Sequence, residues 1–245
     1  MQIDNLRFAI AYETAVNEAG QGIGRLGEKT IHRTLKHYFE PDSSYHEVKY
    51  GPMVCDIKKD DEIIEIQTRS FDRLIPKLRS YLLNNSVTVV YPIIENKTIC
   101  RIDVNSGETI SLRKSSKKGN VIDALAEIVK LREFIPNENF RILLVFIDAT
   151  EARMDGKTVR VGRKRTEKLD AIPTSINSIV ELHGVEDYRV LLPENLPNEF
   201  GSKDFEKLTK LHNINLHAAL AFFLKIGFFN RDKRGGRSYI YTLND

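Results

Sequence analysis

Residues 53–68 read MVCDIKKDDEIIEIQT, and this stretch decides the predicted fold. Two runs rich in β-forming residues flank a polar Lys-Asp-Asp tip, a pattern that indicates an antiparallel hairpin. If the two aspartates of the tip form the turn, Lys59 pairs with Glu62. Counting outward from that pair, Asp56 faces Glu65 across the ladder.

The hairpin therefore brings carboxylates together. Side chains alternate along a strand, so Asp56, Glu65 and Gln67 are expected on one face. Directly opposed residues have Cβ atoms roughly 5 Å apart, and like charges placed so are destabilising. Such a pair calls for a cation, and carboxylate oxygens suit a hard divalent ion such as Mg²⁺. The alternative interpretation is a carboxylate that is simply solvated at a sheet edge.

The elements around the hairpin are predicted in the order αβββαβ. A helix over about 24–39 precedes a strand at 45–49, and the two hairpin strands follow. An amphipathic helix at 71–83 then leads into a buried strand that begins at Ser86. Glu28 lies in the first turn of the first helix, where the helix dipole also favours an acidic residue.

This arrangement resembles the PD-(D/E)xK nuclease superfamily, which has the restriction-endonuclease-like fold. Glu28, Asp56 and Glu65 match the acidic positions of its motif, and Gln67 stands where the motif usually has Lys. The resemblance covers about residues 24–94. It implies an α/β protein with a mixed α+β sheet and an αβββαβ core.

The resemblance also implies a function: a metal-dependent endonuclease that hydrolyses nucleic-acid phosphodiester bonds, with DNA as the expected substrate and a metal-activated water as the nucleophile. It assigns Asp56, Glu65 and the Ile66 carbonyl to Mg²⁺ or Mn²⁺. Glu28 would hold a second ion or a bound water, and Gln67 would orient the water or a phosphate oxygen. Superfamily members that cut both strands often act as dimers, so a homodimer is implied by analogy.

Two other function classes compete with catalysis. A nuclease-like fold that only binds nucleic acid, or regulates, is favoured by Gln67 in place of Lys, because Gln supplies no positive charge. A dinucleotide site is suggested by Gly22, Gly24 and Gly27, which fit Gly-x-Gly-x-x-Gly. That fingerprint requires a preceding strand, and here a helix precedes it.

Three segments, 113–118, 157–165 and 231–237, concentrate basic residues. Such segments are usually solvated loops, but beside a candidate nuclease site they also suit a sequence-independent phosphate-backbone footprint. If they converge near the carboxylates they form one positive channel. The cations predicted to bind nucleic acid are Lys114, Lys117, Lys118, Arg160, Arg163, Lys164, Arg165, Arg231, Lys233, Arg234 and Arg237.

The tail beyond a Pro- and Gly-containing boundary near 191–201 reads as two helices and a hairpin. It resembles a winged helix-turn-helix whose second helix offers few polar side chains for reading bases. Contact between the wing and phosphates, or a purely structural or protein-binding role, are the alternatives. The predicted division is an N-terminal helix and Gly-rich link (1–23), a nuclease-like domain (24–192) with a basic extension (about 95–192), and a winged-helix domain (198–245).

Composition fits an intracellular protein with a full core: the chain has 245 residues, 41% of them hydrophobic, and a formal net charge of +3. Cys55 and Cys100 make no disulfide framework and no spaced metal-ligand pair. No run reads as a signal peptide or a membrane span. A cytoplasmic location and no membrane partner are therefore expected.

Overall fold

The computed structural model describes residues 2–18, 30–160, 163–234 and 238–244, with the backbone alone at 156–160, 163–165, 234 and 238. The main elements before the tail are α1 (Asn5–Glu18), α2 (Thr30–Phe39), β1 (His46–Tyr50), β2 (Met53–Lys59), β3 (Glu62–Ile66), α3 (Ile75–Tyr81), β4 (Ser86–Asp103), β5 (Thr109–Lys114), α4 (Leu125–Ile128), β6 (Phe140–Arg160) and β7 (Arg163–Leu182).

In the described part of the chain, seven of these strands form one mixed sheet in the order β1-β2-β3-β4-β6-β7, with β5 also paired to β4. Strands β1, β2 and β3 are antiparallel, β4 is parallel to both β3 and β6, and β7 is antiparallel to β6. The crossover from β3 to β4 runs through α3, because parallel neighbours need a long connection. The predicted mixed α+β sheet is confirmed, and the elements from α2 to β4 follow the predicted order.

The predicted hairpin is also confirmed in its register. Lys59 pairs with Glu62, and Ile57 pairs with Ile64. Asp60 has a φ of 49°, a left-handed conformation that Asp tolerates well in a two-residue hairpin turn. The local pattern was sufficient here because turn chemistry and strand alternation agree.

Strand β4 corrects the sequence interpretation. The sequence predicts one strand at 86–94, where the apolar run ends, and a separate strand at 98–104. In the structure they form one continuous strand of 18 residues. The polar residues between them do not turn the chain; the pairing with β6 shifts by one residue between Ile94 and Asn96. Such a bulge bends a strand without ending it.

Two further predictions were wrong in extent. The apolar spacing over 121–134 predicts a helix, but the structure forms only α4, flanked by 3₁₀ turns. The apolar run 140–149 predicts a strand that ends at Ala149, but the strand continues to Arg160 and pairs with β7, a strand of 20 residues. Several register shifts along this long hairpin break the regular alternation that would have indicated β7.

The sheet carries a hydrophobic core on each face. Consecutive residues alternate between them: Val89 and Leu144 face α3, α4 and the tail, whereas Val90 and Val145 face α1 and α2. The end of β3 is thus covered from both sides by helices. No helix in the described residues is long and apolar enough to cross a membrane.

The tail contains the predicted two helices and hairpin, together with a short strand that was not predicted. It pairs its strands in the order β8-β10-β9 and shares the first core with the sheet. Arg189 lies over the Phe228 ring at 4.5 Å, and Tyr188 meets Phe222 with ring centroids 6.1 Å apart. Its elements are β8 (Glu199–Gly201), α5 (Ser202–Thr209), α6 (Asn213–Lys225), β9 (Phe229–Arg234) and β10 (Ser238–Leu243).

Candidate functional site

The two carboxylates of the hairpin lie where β2 and β3 separate, at the end opposite the turn. The paired backbone positions stop at Ile57 and Ile64, so the expected pair of Asp56 with Glu65 is not part of the ladder. The Asp56 carboxylate instead accepts a hydrogen bond from the Ile66 N–H at 2.7 Å. A side chain therefore replaces a strand carbonyl in the ladder. This bond fixes Asp56 against the last residue of β3.

Asp56 is held from a second direction by α2. His32 Nε2 lies 3.2 Å from Asp56 Oδ2, the same oxygen that accepts from Ile66. The side chains of His32 and Asp56 are 17% and 16% exposed, so the contact is largely shielded from water. Both contacts are to Oδ2. Among the described residues, the hydrogen bonds of Asp56 leave its other oxygen, Oδ1, without a contact.

Glu65 is buried more deeply, with a side chain 3% exposed, and it faces α3. Lys77 Nζ donates to both of its carboxylate oxygens at 2.9 Å and also to the Val54 carbonyl at 2.7 Å. Burial, together with the negative charge of Asp56, raises the pKa of Glu65 to about 7 even though Lys77 opposes the shift. One ammonium group therefore does not offset the burial of these neighbouring carboxylates.

Sequence reasoning missed Lys77, because the pattern of the amphipathic helix at 71–83 predicts that Lys77, like Arg73 and Arg79, faces solvent. The available signal was its position one turn before Tyr81, a buried residue whose hydroxyl donates to the Val54 carbonyl at 3.3 Å. Lys77 and Tyr81 thus lie on the side of α3 that faces β2. Glu65 meets Lys77 there because β3, which carries Glu65, pairs with β2.

The remaining predicted catalytic residues differ in what the structure describes. Gln67 is half-buried, and its N–H donates to the Val90 carbonyl at 2.9 Å, continuing the ladder beyond β3. Glu28 lies outside the described residues, as does the glycine-rich segment considered for a dinucleotide. His32, in the first turn of α2, reaches Asp56.

The donors that a metal ion would use are Asp56, Glu65 and the Ile66 carbonyl. All are oxygens, the ligand type that Mg²⁺ and Mn²⁺ prefer. No group of three or more His, Cys, Asp or Glu residues suited to a metal occurs within residues 2–18, 30–160, 163–234 and 238–244. The raised pKa of Glu65 nevertheless indicates a shortage of positive charge, which a divalent ion would relieve. The type of donor atom, oxygen, therefore fits a divalent ion such as Mg²⁺ or Mn²⁺.

The thiol beside this site is not a second reactive group. Cys55 is fully buried next to Tyr81, and burial raises the pKa of its thiol. A raised pKa keeps sulfur in the unreactive protonated form. The site's chemistry therefore depends on oxygen and nitrogen groups.

The basic segment at 113–118 lies along β4, beyond the end of β3. Ser115 N–H donates to the Lys97 carbonyl, and Gly119 N–H donates to the Glu95 carbonyl. A Cβ at Gly119 would lie 2.3 Å from the Ile94 carbonyl oxygen, so only Gly allows this approach. Lys114 and Lys118 are exposed, whereas Lys117 pairs with Asp123 at 2.9 Å.

The other basic segments are only partly described. Arg231 and Lys233 are exposed on β9, and the Arg231 guanidinium lies 4.4 Å from the Tyr239 ring centroid. Helix α6 exposes Asn215, His217 and Lys225, so it offers one Lys or Arg toward solvent. The backbone but not the side chain is described for Arg160, Arg163, Lys164, Arg165 and Arg234, and Arg237 lies outside the described residues.

Comparison with known proteins places the chain in a family. No solved structure gives a significant match. A protein of Treponema pallidum (strain Nichols), described as an uncharacterized protein, is 27% identical over 215 residues, which are 87% of this chain and 84% of that protein. Residues 29–183, which include Asp56, Glu65, Lys77 and β4 to β7, match the family described as a domain of unknown function, DUF8091. Because that match spans more than half of its 245 residues, the chain belongs to the DUF8091 family.

Proposed function

We propose that this chain is a metal-dependent nuclease of the restriction-endonuclease-like type that hydrolyses phosphodiester bonds of nucleic acid, with DNA as the expected substrate. The observation that carries the proposal is the joint placement of Asp56 and Glu65 at the open end of a hairpin. The order of elements from α2 to β4 supports it, because this hairpin is the middle of an αβββαβ unit.

Asp56, Glu65 and the Ile66 carbonyl would hold Mg²⁺ or Mn²⁺. An ion bound there would polarise the phosphate and lower the pKa of water to produce a nucleophile. The burial of both carboxylates supports a further cation at this place, because the described residues bring one ammonium group, Lys77, to them. Lys77 would then share Glu65 with the ion.

The chain's own residues would position the reacting groups. The Ile66 N–H and His32 both contact Asp56 Oδ2 and so fix the orientation of the carboxylate. The other oxygen, Oδ1, would then be the one that binds the ion. Lys77 supplies the positive charge that Gln67 does not, and it is anchored by Glu65 and the Val54 carbonyl. A fixed cation of this kind stabilises the charge that develops on phosphate without reorganising. Gln67 would orient a water or a phosphate oxygen by hydrogen bonding.

The test compares matched carboxylate variants on linear duplex, branched and single-stranded DNA, in Mg²⁺, in Mn²⁺ and in chelator. Asp56→Ala and Glu65→Gln should each lose at least ~100-fold in cleavage, since both remove a metal ligand. Glu62→Gln, on the exposed start of the same strand, should cleave like wild type. Equal activity of Asp56→Ala and wild type on every substrate would exclude catalysis at this site.

A second candidate function is nucleic-acid binding without cleavage. It is favoured by the Lys77 ammonium, which engages both Glu65 oxygens and thereby neutralises a ligand without any metal. A binding module would retain its DNA affinity in chelator and would cut nothing with either ion. Calorimetry separates the two candidates, because a nuclease should bind Mn²⁺ and lose that heat in Glu65→Gln.

A further inference from the structure

Beyond the end of β3, strands β4, β6 and β7 continue together and carry a second set of charges. On β6, Val145 and Ile147 face the core under α1 and α2, and by alternation Glu151, Arg153 and Asp155 follow on that same face. Contacts across the strands define what we call the cationic face, in which the buried acids Glu151 and Asp155 lie among five basic residues. The basic residues are Lys97, Arg101, Arg113, Arg153 and Lys168.

Glu151 is the centre of this face. Its side chain is 3% exposed, and it pairs with Arg153 at 2.5 Å, Lys168 at 2.8 Å and Lys97 at 3.6 Å. Burial raises the pKa of Glu151, but hydrogen bonds from Lys168 and Arg153 outweigh burial and lower it to about 2. The carboxylate therefore stays ionised and holds three cations in place.

Asp155 holds a fourth cation by a two-point contact. Arg101 Nε donates to one carboxylate oxygen at 3.1 Å, and its terminal nitrogen lies 2.5 Å from the other. Arg113 completes the face from β5: it is exposed and stands opposite Ile99, which in turn stands opposite Glu151. Residues opposed in neighbouring strands share a face.

Within the described residues, the five cations of the cationic face outnumber its acids Glu151, Asp155 and Asp103, the last of which stands opposite Asp155. The four paired cations remain between 28% and 48% exposed, so their outer sides meet solvent. Cations that are already held lose less conformational freedom on binding an anion.

The cationic face and the candidate catalytic site are linked by the first turn of α2. Thr30 donates to Asp170 through its hydroxyl at 2.6 Å, and Asp170 lies two residues after Lys168 on β7. Two residues further along α2, His32 contacts Asp56. The strand that carries Lys168 and the helix residue that contacts Asp56 are therefore joined through a buried hydrogen bond.

We propose that the cationic face binds the phosphate backbone of duplex nucleic acid and delivers it to the Asp56–Glu65 site. The delivery of DNA to the Asp56–Glu65 site rests on the proposed nuclease function. The binding of DNA to the cationic face is tested without it, because binding is measured in chelator. Apart from Arg113, the cations of the face lie outside the basic segments predicted from sequence, because they are scattered over separate strands and only the sheet assembles them. Contact with phosphates alone makes the binding independent of base sequence.

The experiment measures binding of a fluorescent 24-base-pair DNA duplex to the full chain in chelator, over a series of salt concentrations. The variant Lys97→Gln/Arg113→Gln/Lys168→Gln removes three charges and keeps one arginine on each buried acid. Each lost phosphate contact reduces the log–log salt slope by about 0.9, so the slope should flatten by up to ~2.7. Arg113→Gln alone, which disturbs no buried acid, should flatten it by up to ~0.9.

The matched control removes three exposed cations elsewhere: Lys49→Gln/Arg79→Gln/Arg132→Gln should keep the wild-type slope. An unchanged slope in both the triple variant and Arg113→Gln would overturn the cationic face as the binding surface. Cleavage of the same duplex in Mn²⁺ is scored separately. A wild type that binds with the expected slope but never cuts defeats the nuclease proposal and leaves the cationic face supported. A wild type that does not bind defeats the cationic face directly.

Discussion

Two buried glutamates in this protein have opposite electrostatic settings. Glu65 and Glu151 are each 3% exposed, yet the pKa of Glu65 is raised to about 7 and that of Glu151 is lowered to about 2. Glu65 has one lysine and a neighbouring aspartate, whereas Glu151 has three cations around it. Burial is equal, so the number and sign of neighbouring charges decide the difference. A site short of positive charge suits a metal, and a site with an excess suits phosphate.

The largest effect on cleavage should come from removing Lys77, the cation that contacts Glu65. In Lys77→Met, cleavage should fall by on the order of 100-fold, because a fixed positive charge beside the reacting phosphate is lost. Arg79→Met removes an exposed cation from the same helix and should cleave as wild type does. Turnover of a duplex in Mn²⁺ measures both. Full activity in Lys77→Met would show that Lys77 only neutralises Glu65.

The pH dependence of stability should be next in size. A Glu in an unfolded chain titrates near 4.5, so the folded state binds more protons between pH 4.5 and 7. Wild type therefore loses stability as pH rises through this window, by about 2–3 kcal/mol from Glu65. Glu65→Gln lacks this loss, so its stability relative to wild type should increase from pH 5 to pH 8 in chelator. Parallel urea curves for the two proteins at both pH values would contradict the raised pKa.

Glu151→Gln should act in the opposite direction. Because the folded pKa of Glu151 is lowered, its charge stabilises the fold above pH 4.5, and this stability is lost as pH falls toward 2. At pH 7 the variant should be less stable by about 2 kcal/mol, a discounted figure because the cationic partners are partly exposed. Urea unfolding at pH 7 and pH 3 measures it, and the difference should shrink at the lower pH.

The smallest effect should come from His32. In His32→Gln the ring contact to Asp56 is lost while the Ile66 N–H still fixes the carboxylate, so cleavage should fall by about tenfold. Binding to duplex DNA in chelator should not change, because the cationic face is untouched. A loss of binding in this variant would mean that α2 positions the cationic face as well as Asp56.

Sequence reasoning was sufficient where interactions are local. The hairpin from Met53 to Thr68 combines alternation with a turn at Asp60, and both signals act within a few residues. The mixed sheet followed from the order of such units. The superfamily resemblance and the roles of Glu28, Asp56, Glu65, Ile66 and Gln67 stay predictions.

What the sequence did not reveal depends on distant pairing. Residues 95–97 are polar and separated two predicted strands, but neighbouring strands keep them inside β4. The cationic face is invisible along the chain, since Lys97 and Glu151 meet only when β4 and β6 pair. Lys77 has a spacing typical of a solvated residue, and Glu65 reaches it only through the fold.

The shared core of the sheet and tail also determines how the protein comes apart. Phe200, Phe205 and Phe223 pack in the same hydrophobic cluster as Leu144 of β6. A protease cut in the Pro-containing connector before β8 would therefore not release the tail as a separate folded piece, since release would expose both sides of that cluster to water. The sheet and the tail should lose their structure together, in one cooperative transition.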